Sequence, residues 1–324
     1  MQYYKIFQGV AIPYSALVSV IFGLMLLSFP VGAYLFFNSQ IGKTIDYHYP
    51  LSELQLVQKF NLDFIGQIEI GSVFVVAWLF SLIIFAIAVF GPKKNFLKVL
   101  TPMMAGMYER QNGNYIIHSI KWFAIIIILS EGIENLQELV GIKTVVPAFE
   151  NDLLQFLSIT IAPPIEELGF RIILIGIPVF FIYSQRASVM DFFRALWSPY
   201  QNLQISSSTK AIAIIVVVGI FFGFSHIMSE QWSTGKFAQA AMGGIIIGWV
   251  YFRYGFVAGV LIHWATNYMI YSYGFLVSVV NGTSIVDAFA HPLLQTIEVL
   301  LVVTGALGIV LLAFDYGRKK LEVQ

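Results

Sequence analysis

The sequence predicts an all-α polytopic membrane protein, a bundle of about eight transmembrane helices forming one integral membrane domain over residues 1–324. Three observations carry that prediction. The 324 residues are 58% hydrophobic and 11% charged, with a mean hydropathy of +0.79, whereas soluble domains are about a quarter charged. The apolar residues fall in runs long enough to cross a bilayer, for which a helix needs about 20 residues. No internal repeat or low-complexity tract divides the chain. Two function classes lose support at once. A formal net charge of zero supplies no basic field for a nucleic acid partner, and the absence of cysteine removes disulfides, thiolate ligands and a cysteine nucleophile together. The first apolar run is long enough to span and has Lys5 as a thin basic flank, so no cleavable signal peptide is expected.

In chain order, residues 13–37 form the first expected span, apolar apart from small hydroxyls. Residues 51–60 place Leu51, Leu54, Val57 and Phe60 at helical spacing, with Glu53 and Lys59 off that stripe, as expected of a segment lying in the interface. The second span, 71–90, stops at Gly91-Pro92 and is followed by Lys93, Lys94 and Lys98. The third begins near Tyr115 and fades into Glu131, Glu134 and Glu138. The fourth covers 153–183. After it, 184–209 is a polar connection with a short amphipathic piece around Phe192, Phe193, Leu196 and Trp197, suited to an interface. The fifth span is 211–228. The sixth, 237–252, carries Ala240, Gly244 and Gly248 at four-residue intervals, a stripe that lets two helix backbones approach closely. The seventh, 256–280, carries His263 and Asn267, and the eighth, 293–314, ends in Asp315 and the run Arg318-Lys319-Lys320.

With eight spans, Lys93, Lys94, Lys98, Arg110, Arg186, Arg194, Lys210 and Arg253 lie on the side of both termini, against Lys43, Lys59, Lys143 and Lys236 on the other. That excess of positive charge places the first side, and both termini, in the cytoplasm of a multi-pass cell-membrane protein.

Against this apolar background stands the stretch Ala162-Pro163-Pro164-Ile165-Glu166-Glu167-Leu168-Gly169-Phe170-Arg171. A charge at the centre of a membrane helix costs about 2.5–3.5 kcal/mol on insertion scales, so such residues face a protein interior and mark a site. Glu167 and Arg171, at i and i+4, are placed to pair. Glu166 turns to the next face and reads as the working carboxylate, with Glu167 and Arg171 in support. The two prolines are expected to start or kink a helix, and free N–H groups at such a start would stabilise both acids.

The remaining polar groups inside spans are His226, four residues after Phe222, and His263, four residues before Asn267. Three helices can then converge on one point. A carboxylate and an imidazole sharing one water can act as general base and then general acid, which suits Glu166 and His226. A second imidazole and an amide N–H can donate to the oxygen of a tetrahedral intermediate, which suits His263 and Asn267. His48, His118 and His291 fall near span ends or in loops and are expected to be solvated.

Glu166-Glu167-x-x-x-Arg171, Phe222-x-x-x-His226 and His263-x-x-x-Asn267, on successive spans and in that order, resemble a known set of hallmarks. They are those of the type II CAAX prenyl endopeptidases and their bacteriocin-processing and immunity relatives, the CPBP or Abi group. The resemblance covers about residues 153–273. It implies an intramembrane glutamate protease in a bundle of eight helices, with Glu166 and His226 activating the water and His263 and Asn267 stabilising the oxyanion. It also implies a membrane-associated protein or prenylated peptide as substrate, with the last three residues removed, and the lipid bilayer as surroundings. The 184–209 connection is longer than the resemblance implies and leaves open what covers the substrate entrance.

Other readings stay on the page. The chain lacks H-E-x-x-H and its two motif histidines are far apart, so no metal or other cofactor is expected. An aspartyl protease needs two membrane-embedded aspartates, and none is found. A serine route stays open, because Gly223-Phe224-Ser225 resembles the rhomboid Gly-x-Ser and His263 could serve as base, although Glu166, Glu167 and Arg171 then have no role. A non-catalytic scaffold, immunity or sensor protein stays open too, as does a proton pathway.

Overall fold

The computed structural model describes residues 2–38, 70–105, 113–144, 151–185, 188–228 and 233–323. They are helical, with no strand among the described residues. We name α1 (Gln2–Asn38), α2 (Ile70–Phe90), α3 (Phe96–Met104), α4 (Tyr115–Leu139), α5 (residues 152–183), α6 (Val189–Trp197), α7 (Thr209–Met228), α8 (Lys236–Tyr254), α9 (residues 256–281) and α10 (Pro292–Val323). Two of these change pitch midway. In α5, Asp152–Glu166 passes into a π-helical stretch Glu167–Gly176 and then Ile177–Tyr183. In α9, Phe256–Trp264 passes into a π turn Ala265–Met269 and then Ile270–Asn281.

The all-α membrane architecture expected from composition is the one observed. Among the described residues, five helices are long and apolar enough to cross a membrane: Gln8–Asn38, Ile70–Phe90, Tyr115–Leu139, Thr209–Met228 and Pro292–Phe314. The other three expected spans are helical, but α5 and α9 are interrupted by π turns and α8 carries Lys236 and Arg253 near its ends. That these three also cross, making eight, is our proposal. The expected interfacial segment 51–60 lies outside the described residues, as do His48 and Arg186.

α9 is the axis of the bundle. Every residue from Phe256 to Trp264 is buried, the pattern of a helix that is apolar all round and surrounded by others. It packs on α2, α4, α5 and α8. Its start is set by Gly255, whose φ of 101° lies in a region that favours glycine and whose Cβ would meet the Trp197 carbonyl oxygen at 2.9 Å. The loops are anchored by asparagines. Asn114 caps α4 by accepting from Ile116 N–H at 2.9 Å, while its amide donates to the carbonyls of Ala88, Val89 and Lys94 at 2.9–3.0 Å. One buried side chain thereby ties the end of α2 to the start of α4.

Asn151 caps α5 in the same way, accepting from Leu153 N–H at 2.7 Å. Of the expected start or kink at the prolines, the start is overturned, while a change of pitch follows them. The helix begins at Asp152, runs through Pro163 and Pro164, and reaches the acids without a break. Neither proline can donate to the carbonyl four residues back, and the wider π-helical turns that follow take up the distortion instead of a new start. The N–H of Glu167 bonds to the Pro163 and Pro164 carbonyls, so no free helix N-terminus faces the acids.

α7 and α8 form the closest helix pair. A Cβ on Gly219 would stand 2.7 Å from Ile245 N, one on Gly223 2.9 Å from Phe237 O, and one on Gly244 3.2 Å from the Gly219 Cα. The small-residue stripe is thus packing, as expected, and α7 supplies its own glycines to match it. The 184–209 connection packs at the far end of α8 and α9, where Tyr251 Oη donates to Leu196 O at 2.8 Å and the Arg253 guanidinium lies 3.8 Å from the Tyr200 ring centre. His118 departs from expectation. It is 3% exposed and stacks on Tyr254 at 3.9 Å, because α4 is buried from its first turn.

Gly219→Ala should separate α7 from α8 and cost about 1–3 kcal/mol. Gly132→Ala, where nothing lies within 4 Å, should be neutral or slightly stabilising. Thermal unfolding of both variants in detergent checks this.

Candidate active site

The three motifs meet. His263, on the buried axis helix and 5% exposed, is approached by both acids of α5. Its Nδ1 lies 2.9 Å from Glu167 Oε1, and its Nε2 lies 3.6 Å from Glu166 Oε2. A carboxylate oxygen only accepts, so Nδ1 carries the proton and Nε2 is the nitrogen turned to Glu166. Asn267 Nδ2 is 3.5 Å from the same Nε2, one helical turn along.

Glu167 is held from behind. Its Oε2 is 3.0 Å from Arg171 Nε, both side chains being fully buried, as the i, i+4 spacing predicted. The guanidinium sits 5.1 Å from the centre of the Phe222 ring, a cation–π contact in an apolar setting. Phe222 in turn meets the rings of His226 at 4.6 Å and His263 at 5.9 Å, both edge to face. The aromatic residue of the second motif is therefore the wedge that sets both imidazoles. His226 Nδ1 donates to the Phe222 carbonyl at 2.9 Å, and the residue lines the cavity. Glu166 acts on His226 electrostatically across the gap between them.

The two acids differ in access. Glu167 has no exposure, whereas the Glu166 side chain is 29% exposed. Glu166, His226, His263 and Asn267 line one cavity of about 820 Å³, and Glu167 and Arg171 stand behind its wall. This division follows from the helix: adjacent residues point about 100° apart, so one acid faces the cavity and the other the packed interior. The working and supporting roles read from the sequence thus map onto lining and backing positions.

Ser225 also lines the cavity, but its Oγ donates to the Phe222 carbonyl at 2.8 Å within its own helix. His263 Nδ1 is engaged by Glu167. Among the described residues no group of three or more His, Cys, Asp or Glu is arranged to hold a metal ion.

Several lining residues were not singled out by sequence reasoning. Gln155, Thr266 and Glu298 face the cavity, as do Glu131, Glu134, Lys236 and Gln239. The acids of α4 had been read as the polar end of a span. A usable signal existed for Gln155, which repeats with Ile159, Ala162 and Glu166 along one stripe of α5.

Arg171→Met leaves Glu167 buried without its cation, and should cost about 3–5 kcal/mol. The double variant Arg171→Met/Glu167→Gln should recover most of that loss, since replacing both partners of a buried pair is near neutral. Unfolding midpoints of the three proteins give the comparison.

Comparison with known proteins supports the motif reading. Residues 150–269 match the family described as Type II CAAX prenyl endopeptidase Rce1-like. No curated protein and no solved structure matches the chain. The matched segment runs from the start of α5 through the π turn of α9 and holds every residue of the cluster. That family is one of membrane peptide hydrolases. Residues 150–269, which carry the three motifs, are thus similar to the Rce1-like type II CAAX prenyl endopeptidases.

Proposed function

We propose that the chain is a glutamate intramembrane protease that hydrolyses a peptide bond near the C-terminus of a membrane-associated substrate by direct attack of water. The observation that carries this reading is His263, held between two carboxylates on the wall of a cavity enclosed by apolar helices. Glu166 takes a proton from a water shared with His226, that proton passes from the Glu166 carboxyl to His226 Nε2, and the imidazolium so formed hands it to the leaving amine. The oxygen of the scissile carbonyl becomes negative as the water adds. His263 Nε2–H and Asn267 Nδ2–H, on one helix face, donate to it.

Glu167 gives His263 its orientation. With Nδ1–H fixed on Glu167 Oε1 at 2.9 Å, the ring can rotate only by breaking a buried charge-assisted hydrogen bond. Arg171 balances Glu167, so one further positive charge on His263 balances Glu166 and brings the four groups to neutrality. The imidazolium and the neutral Asn267 amide are then both ready as donors before substrate arrives, which is the preorganisation that oxyanion stabilisation needs.

The substrate is the one the resemblance implies, a prenylated C-terminal tail, with its lipophilic chain against the apolar wall formed by residues such as Ile159, Phe170, Ile247 and Leu301. The serine alternative is weaker, because the Ser225 hydroxyl is spent on its own helix and Nδ1 of His263, the base that reading needs, is engaged by Glu167.

Purified protein in detergent is expected to cleave a fluorogenic farnesylated C-terminal peptide, and Glu166→Gln to abolish cleavage without unfolding. Asn267→Ala should lower kcat by about a hundredfold to a thousandfold, and Ser225→Ala should leave it within about a factor of two of the parent, since no transition-state contact is lost. Retained activity in Glu166→Gln, or loss in Ser225→Ala, would refute the assignment.

A further inference from the structure

Of the described residues that line the cavity, Lys236 alone is a lysine or arginine. It stands half-buried in the first turn of α8. An ammonium on a wall that is otherwise apolar or uncharged needs an anionic neighbour, and Glu134 is one. Its three N–H donors can hold a second.

The packing of α7 on α8 sets how far Lys236 stands from the chemistry. A Cβ on Gly223 would lie 2.9 Å from Phe237 O, and the Phe224 and Phe237 rings are 4.7 Å apart. The end of α7 therefore runs beside the first turn of α8. His226 follows Gly223 by three residues, about 4.5 Å along the helix axis. It and Lys236 thus line the cavity from adjacent turns of two touching helices. Their backbones are then about 8–10 Å apart, the usual spacing of packed helices, and the Lys236 charge is felt at His226.

In the proposed reaction His226 hands its proton to the leaving amine, so the departing segment begins at His226. In the prenylated tail taken as substrate that segment is three residues, about 10 Å when extended, and it ends in a free carboxylate. The reach of the segment matches the spacing from His226 to Lys236, and its terminal charge is opposite to that of the ammonium.

The acids nearby restrict where that carboxylate can go. Glu134 accepts from Gln239 Nε2 at 3.3 Å. Glu131 hydrogen-bonds Glu298, which two carboxyl groups do by sharing a proton. A carboxylate set against these acids is repelled, whereas beside Lys236 it meets a cation. Attraction at one point and repulsion around it is how a site selects one placement of a charge.

We propose that Lys236 is a substrate-binding residue that takes the C-terminal carboxylate of the tail. The proposal rests on the protease reading and on the prenylated tail as substrate, and adds the group that recognises a free chain end.

Binding can be read without cleavage in the Glu166→Gln protein, by fluorescence anisotropy of a dye-labelled farnesylated peptide in detergent. The peptide with a free C-terminal carboxylate should bind about tenfold more tightly than the same peptide ending in a carboxamide, the scale of a hydrogen bond to a charged group. Lys236→Met should abolish that preference, and Lys236→Arg should keep most of it. The comparison of acid with amide needs no change at Lys236, so it stands even where a variant folds poorly. In the parent protein the carboxamide should raise KM about tenfold and leave kcat within about a factor of two, since the contact is made equally in ground and transition states. Equal binding of the two peptides, or a preference that survives Lys236→Met, overturns the proposal and leaves the protease reading standing. Binding of neither peptide removes the prenylated-tail reading and this proposal with it.

Discussion

The structure depends on one buried chain of contacts, from the Arg171 guanidinium to Glu167 and from Glu167 to His263 Nδ1. Removing two charges and an imidazole from water is costly, and mutual attraction offsets that cost only when geometry is tight and further hydrogen bonds are made. Here each link is about 3 Å, but beyond the ion pair the three guanidinium nitrogens of Arg171 make no hydrogen bond among the described residues, so the pair carries a desolvation cost. Such a pair is weak evidence of stability in itself, because an apolar replacement of similar shape would cost little. It is better evidence of positioning. It joins α5 to α9, and it fixes the ring that faces Glu166.

The helices that carry this chain are shaped for it. Glu166 and His263 precede π-helical turns, Glu167–Gly176 in α5 and Ala265–Met269 in α9, and Glu167 opens the first of them. Such turns occur often at functional sites, where they change which side chains share a face. In α5 the turn follows two prolines that leave carbonyls without their usual donors. In α9 it begins two residues after His263, contains Asn267 and follows a segment buried on every side. Packing of α7 on α8 through glycines then brings Phe222 and His226 in from a third direction.

Much of this was legible in the sequence, for physical reasons. Charge inside apolar runs is costly enough that Glu166, Glu167, Arg171, His226 and His263 marked themselves, and the i, i+4 spacings gave the Glu167–Arg171 pair and the shared face of His263 and Asn267. Which acid meets which histidine was not legible. That both carboxylates reach His263 is set by the depth of α9 rather than by local spacing. The prolines misled because a membrane helix packed on its neighbours tolerates lost backbone bonds that would end a solvated one. His118 misled because a residue near a span end was taken as wet, while α4 is covered from its first turn. Gln155 and Glu298 escaped notice because polar residues near helix ends look like boundaries until the helices are assembled.

The central claim is that water attacks the peptide bond directly, with no covalent link to the chain. Cleavage of the farnesylated peptide in the presence of hydroxylamine tests this most directly. Direct attack predicts only the free carboxylate product, with a yield that hydroxylamine does not alter. A hydroxamate product would reveal an acyl intermediate, place the nucleophile on a side chain such as Ser225, and contradict the account.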